Sequence, residues 1–263
     1  MVTSCAVPTL LRAALRILSG GVVFKLSPPK EKGGKWEEKG LHSFASGSDG
    51  AYPNGGLVLD SRGAIYGTTY GGGNESGECG AGGCGTVFTL QPPTKKGVDW
   101  TEKVLYRLNG RDGSNPNGGL VVDAKGALYC TAQGGPNNEG DGIAFRLTTI
   151  DGVGWKETVL HIFSRDNNGG ASPLAGLTIG AQGDLYGTAS WSHVSSGDVF
   201  RIEPSGRKPG AWTFGVLYSF TGPPDGSTPG ASLILDREGN FYSTTEMGGA
   251  GTCGCGTVFE VDK

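Results

Sequence analysis

The strongest constraint on this chain is a sequence word that keeps returning. Trp36, Trp100, Trp155 and Trp212 each open a segment of one kind, written WEEKGLHSF, WTEKVLYRL, WKETVLHIF and WTFGVLYSF, at separations of 64, 55 and 57 residues. A turn and an apolar hairpin follow each one: GGLVLDSRGAIYGTT from Gly55, GGLVVDAKGALYCTA from Gly118, AGLTIGAQGDLYGTA from Ala175 and GASLILDREGNFYSTT from Gly230. Every copy then ends in a short aromatic-aliphatic strand, GTVFTL at Gly85, GIAFRL at Gly142, GDVFRI at Gly197 and GTVFEV at Gly256, and a fifth such ending, GVVFKL at Gly21, stands alone at the front. Self-similarity at this period marks a repeat architecture in which one supersecondary unit recurs and buries its apolar face against its neighbours.

Composition narrows the unit. Gly makes up 50 of 263 residues, far above the usual roughly 7%, so long helices are excluded, and the absence of a three-residue Gly period excludes collagen. The apolar fraction of 36%, with 5 Trp, 8 Tyr and 10 Phe, supports a packed core. A net charge of -3 with dispersed Lys and Arg excludes a nucleic-acid surface, which needs a basic stripe. No apolar run reaches the length of a membrane span.

The repeated words resemble the Gloeo/Verruco (GloVer) repeat of bacterial extracellular proteins. Its pattern is a DGxxPxxGL turn, then D-x-x-G-x-L-Y-G-T-T, a Gly-rich loop and G-T-V-F-x-L, and the likeness runs over residues 21–263. The third copy departs from it: Gly169 stands for the turn Asp and Gly180 for the Asp after the first hairpin strand. The resemblance implies a surface or secreted repeat protein. It supplies a fold and a location, and no catalytic residues.

Four β segments per unit, joined by turns and without helical period, predict an all-β chain folded as a β-propeller of four tandem four-strand repeats, a single domain over 21–263. We name the strands A (GLVLD), B (AIYGTT), C (GTVFTL) and D (WTEKVLYRL). Strand A is apolar throughout and is expected innermost, buried on both faces; D carries Lys and Glu and is expected at the rim. The last copy stops after its C strand while the front holds a spare C and D pair. Four blades follow if Trp36–Phe44 supplies the missing rim strand, five if residues 6–18 form a degenerate inner hairpin. Residues 1–20 read as a leader or short helix, because Leu11, Leu15 and Leu18 share a helical face opposite Arg12 and Arg16. They make a poor signal peptide, their apolar run being broken by two arginines, and the simplest account is a sequence that begins inside a longer array.

In a propeller the D-to-A and B-to-C loops share one face, which makes that face the expected site of function. Asp49, Asp112 and Asp225, with Asp166 in the irregular third copy, would ring its mouth. Ringed carboxylates suit Ca²⁺, and equally each Asp suits the backbone N–H groups of its own turn. His193, in WSHVSSGD beside Asp198, is a candidate general base, although no G-x-S-x-G nucleophile elbow accompanies it. His42 and His161 replace the Tyr of strand D and read as rim packing. Trp191, Tyr52 and Tyr70 offer flat faces for a sugar ring, or else pack over the neighbouring blade.

Cys79 and Cys84 share one B-to-C loop, and Cys253 and Cys255 share the equivalent loop of the last copy. Two local disulfides, or bridges across the two loops, suit an exported protein; four gathered thiolates would instead suit Zn²⁺. Cys130 reads as a buried free thiol. Three functions remain open: a surface module binding a small molecule or glycan, a cation-assisted lactonase or esterase, and a structural repeat segment. The unpaired terminal strands also offer a route to a homo-oligomer.

Overall fold

The computed structural model describes residues 10–14, 20–75, 77–136, 141–150, 152–165, 170–192, 195–208, 210–251 and 254–262. These residues form five antiparallel sheets in chain order. Sheet I holds β1 (Leu10–Ala14), β2 (Val22–Ser27) and β3 (Glu37–Ser43). Sheet II holds β4 (Val58–Leu59), β5 (Ile65–Thr69), β6 (Thr86–Gln91) and β7 (Thr101–Arg107). Sheet III holds β8 (Ser114–Pro116), β9 (Val121–Val122), β10 (Leu128–Gly134), β11 (Ile143–Ile150) and β12 (Gly154–Ile162). Sheet IV holds β13 (Thr178–Ile179), β14 (Leu185–Ala189), β15 (Asp198–Pro204) and β16 (Trp212–Ser219). Sheet V holds β17 (Asp225–Pro229), β18 (Ile234–Leu235), β19 (Phe241–Gly249) and β20 (Val258–Val261).

Residues 10–14 are a strand paired to β2, where the sequence left a short helix and a degenerate hairpin open. One expectation is corrected. Strand A is less buried than its composition suggests. Its paired part is two residues long, and Leu59 is 50% exposed and Ile234 68% exposed. The buried member is the preceding leucine, Leu120, Leu177 or Leu233.

The core lies between sheets, in four clusters that join I to II, II to III, III to IV and IV to V. One contact recurs in them. The residue closing each rim segment, Phe44, Phe163 or Phe220, is buried and packs 4.9–5.0 Å from the C-strand Phe of the following sheet, Phe88, Phe200 or Phe259. Leu108 takes that role beside Phe145. This explains why the rim word ends in Phe or Leu and the C-strand word contains Phe. A buried aromatic pair contributes about 0.5–1.5 kcal/mol beyond the area it removes from water.

A second recurring device explains the proline and glycine words. Tyr52, Asn115, Ser172 and Thr228 occupy equivalent positions before Pro53, Pro116, Pro173 and Pro229, and all four have φ between 55° and 59°. A left-handed non-Gly residue is strained by about 1–3 kcal/mol. The strain turns each amide back onto the preceding sheet: Tyr52 N–H donates to Gly20 O at 2.6 Å, and Asn115, Ser172 and Thr228 donate to Cys84, Asp141 and Ser196 O at 2.8 Å. Pro116, Pro173 and Pro229 then seat on Gly85, Gly142 and Gly197, the glycines that open strand C. At Gly142, with φ +99°, a Cβ would overlap Pro173 Cδ and approach Ala132 O at 2.8 Å.

Candidate functional site

The turn carboxylates close their own turns. Asp49 accepts Ala45 N–H at 2.9 Å, with His42 Nε2 3.8 Å away. Asp112 accepts Asn109 N–H at 2.9 Å, the Asn109 amide at 2.7 Å and the hydroxyl of Tyr106. Asp225 accepts Thr221 N–H at 2.9 Å, its hydroxyl at 3.2 Å and Tyr218 OH at 2.7 Å. Partial burial alone would raise the Asp225 carboxyl, but these donors together hold it below the ordinary carboxylate value. Asp166 lies outside the described residues. Among the described residues no group of three or more His, Cys, Asp or Glu comes together.

His193 likewise lies outside the described residues. Asp198 is 2% exposed and accepts Ser195 Oγ at 2.9 Å and Ser219 Oγ at 2.6 Å, so its carboxylate ties the B-to-C loop to the rim strand. It stands where sheet II has Thr86, whose hydroxyl bonds instead to that of Thr69 on strand B at 2.9 Å. His161 behaves as rim packing: it stacks on Phe214 at 3.8 Å, and burial pushes it down to about 4.

The three candidate aromatics are divided. Tyr52 is 47% exposed and its carbonyl accepts Tyr70 N–H at 2.9 Å; the Tyr70 hydroxyl donates to Gln133 at 3.3 Å. Trp191, 45% exposed, belongs to sheet IV and lies 5.0 Å from the guanidinium of Arg165, itself held by Asp141 at 2.6 Å.

Cys79 and Cys84 are disulfide-bonded, and so is Cys255; Cys253 lies outside the described residues. Oxidised sulfurs are not thiolates, so the zinc alternative is corrected. Cys130 is the buried free thiol expected, and burial pushes it up to about 12.

A cleft of about 730 Å³ lies at the opposite end of the sheets, where the A/B turns of sheets III and IV meet the C/D link of sheet IV. Its volume falls in the range of small-molecule sites. The wall carries Trp212, with Tyr129 edge-on at 6.1 Å and the Arg146 guanidinium 5.8 Å from the ring centroid. Arg146 Nε is buried without a hydrogen-bond acceptor among the described residues. Lys125, Gln182, Thr148, Thr149 and Ser205 add polar groups to the lining. The acid present, Asp123, is spent: it accepts Lys125 and Ala127 N–H at 2.9 Å and Tyr129 OH at 3.1 Å.

Sheet IV opens this cleft through the substitution already visible in its sequence. Asp60, Asp123 and Asp236 each hold their A/B turn and a Tyr hydroxyl, but the fourth position is Gly180. Asp184 supplies the missing carboxylate from another place, receiving Arg201 at 2.7 Å and Tyr186 OH at 3.4 Å. The relocation leaves Gly180 as bare backbone on the cleft wall and removes a negative charge from it. The departure at Gly180 was the signal available in the sequence, although the loop arithmetic pointed to the other face.

Among the described residues no helix is long and apolar enough to cross a membrane. No curated protein matches the chain, whereas 47 chains of solved structure do. One is PorZ, described as an essential bacterial surface component of the type-IX secretion system of human oral-microbiomic Porphyromonas gingivalis; it is 14% identical, with a TM-score of 0.47, and the match covers 96% of this chain and 30% of PorZ. The model of the Gloeobacter/Verrucomicrobia repeat matches residues 18–153. The returning words, the backward-reaching amides and this match agree, and the chain belongs to the Gloeobacter/Verrucomicrobia repeat family.

Proposed function

We propose that this chain is an extracellular or cell-surface module, its five sheets arranged as propeller blades in one domain, that binds an acidic carbohydrate in the cleft between sheets III and IV. The observation that carries the reading is the guanidinium of Arg146 beside the indole face of Trp212 on the cleft wall. A sugar ring offers C–H groups to Trp212, and a carboxylate on that ring takes the fork of Arg146. Lys125 adds a second positive charge. The hydrolase and calcium readings draw less support, because Asp49, Asp112 and Asp225 are engaged by their own turns.

The test is a glycan array followed by calorimetry with matched neutral and uronic-acid oligosaccharides, with ester and lactone substrates assayed in parallel. Acidic ligands are expected to bind more tightly, and Arg146→Gln to weaken them about 10-fold or more, the worth of one charged hydrogen bond. Equal affinity for neutral and acidic sugars, or no effect of Arg146→Gln, would refute the site. Turnover of an ester or lactone that survives Arg146→Gln would favour a hydrolase acting on the other face.

A further inference from the structure

Both walls of the cleft between sheets III and IV carry unbalanced positive charge. Residues two apart on a strand share a face, so Arg146 and Thr148 form one polar patch with their cross-strand partners Thr158 and Lys156. Arg146 and Thr148 line the cleft, and Lys156 is exposed beside them. The matching patch of sheet IV is Arg201, Glu203, Gly215 and Thr213, and there the arginine is held by acids, Asp184 at 2.7 Å and Glu203 at 2.6 Å. Sheet I sets Lys25 and Lys39 beside Ser27 and Glu37, and sheet II sets Lys103 beside Thr89, Gln91 and Thr101. Sheet III alone of the four carries two cations without an acid. The facing wall adds to the imbalance. Ser205 and Ala211 line the cleft and belong to one turn, closed by Ser205 N–H on Ala211 O at 2.8 Å and Ala211 N–H on Lys208 O at 3.1 Å. That turn carries Arg207 and Lys208, both exposed. The acid among the lining residues, Asp123, is engaged by its own turn. The whole chain has a net charge of -3, so composition does not account for this gathering of cations.

We infer, resting on the reading of the cleft given above, that it takes an internal stretch of an acidic polysaccharide rather than a single acidic sugar. The sugar on Trp212 gives its carboxylate to Arg146. The carboxylates of its two chain neighbours meet Lys156 on one wall and the Arg207–Lys208 turn on the other, so the chain crosses the cleft from sheet III to sheet IV. Lys156 lies two residues from Thr158, the partner of Arg146, which is roughly 7 Å along the strand. That step suits carboxylates on successive sugars. The division of labour follows from exposure: Arg146 is partly buried against Trp212 and holds the central sugar, while Lys156, Arg207 and Lys208 stand in water and act as screened, long-reaching charges.

The probes are α-1,4-linked galacturonate oligomers, from the monomer to the pentamer, titrated into the chain by calorimetry. Affinity is expected to rise about threefold with each sugar as far as the trimer, the scale of one exposed ion pair, and then to level off. Lys156→Gln, and the paired Arg207→Gln and Lys208→Gln, change side chains already in water, so they leave the fold intact. Each set is expected to weaken the trimer about threefold and to leave the monomer unchanged. Salt at about 1 M shortens the screening length to about 3 Å and should bring the trimer close to the monomer. A trimer no tighter than the monomer, or a gain that survives both sets of substitutions, overturns the inference and leaves the cleft reading standing. Failure of every oligomer to bind, or binding indifferent to Arg146→Gln, overturns the cleft reading and this inference with it. Tighter binding of a single-stranded oligonucleotide of equal charge overturns the choice of a polysaccharide.

Discussion

Gly142→Ala tests the idea that each sheet is pinned to the next by a proline seated on a glycine. Gly142 has φ +99°, and an added Cβ meets Pro173 Cδ and Cγ and the Ala132 carbonyl. Two costs follow. The left-handed backbone costs an L residue about 1–2 kcal/mol, and overpacking against a proline that cannot rotate away costs about 1–3 kcal/mol. The sum is about 2–5 kcal/mol. Gly126→Ala separates the two, since Gly126 has φ +83° with nothing within 4 Å, so it bears the backbone cost alone. Urea denaturation of both variants should therefore show Gly142→Ala lower by at least about 1 kcal/mol, read from midpoints at unchanged m-value. Adding Pro173→Ala should recover part of the loss in Gly142→Ala and none in Gly126→Ala, a coupling expected only between touching residues. Equal destabilisation by the two glycine substitutions would refute the seat.

The remaining expectations concern charge and sulfur. Burial, with Asp49 near Glu102 and Asp112 near Glu157, raises both glutamates to about 7. A carboxyl whose folded value is raised contributes stability that is full below the ordinary carboxylate value and is lost as pH rises through 7. Both side chains are partly exposed, so screening reduces each contribution to about 1 kcal/mol. The melting temperature should fall between pH 5 and 8, and the paired Glu102→Gln and Glu157→Gln substitutions should flatten that slope; an unchanged slope would contradict the burial argument. Replacing Cys79 and Cys84 by Ser removes a short cross-link worth about 2 kcal/mol, measured as a lower denaturation midpoint and a smaller effect of reductant, which still acts on the bridge of Cys255. Excess Ca²⁺ or EDTA should leave the melting temperature in place, because the turn carboxylates already accept turn donors; a shift of several degrees would restore the calcium reading.

Sheet class, the hairpin words and the edge position of the Trp-led strands were legible in the sequence, because period-2 apolar words between Gly and Asp turns leave the backbone few alternatives. The Asp turns were legible for the same local reason. What escaped was non-local. Residues 10–14 satisfy a helix pattern as well as a strand pattern, and they pair with the edge of β2. The cleft depends on Gly180 meeting Arg146 and Trp212, residues distant in sequence whose meeting follows only from how sheets III and IV pack. The left-handed Tyr52, Asn115, Ser172 and Thr228 escaped for a further reason: four different side chains share one conformation imposed by the partner sheet.

The amide and proline that follow each rim strand belong, by contact, to the sheet before them. A segment copied or exchanged at a sheet boundary would part the glycine that opens strand C from the proline that covers it. A copying unit that preserves the lock must instead run across the boundary, from the glycine of one sheet to the proline of the next. Genetic rearrangements that lengthen or shorten such an array should have their breakpoints inside the hairpins, where the chain crosses no such lock.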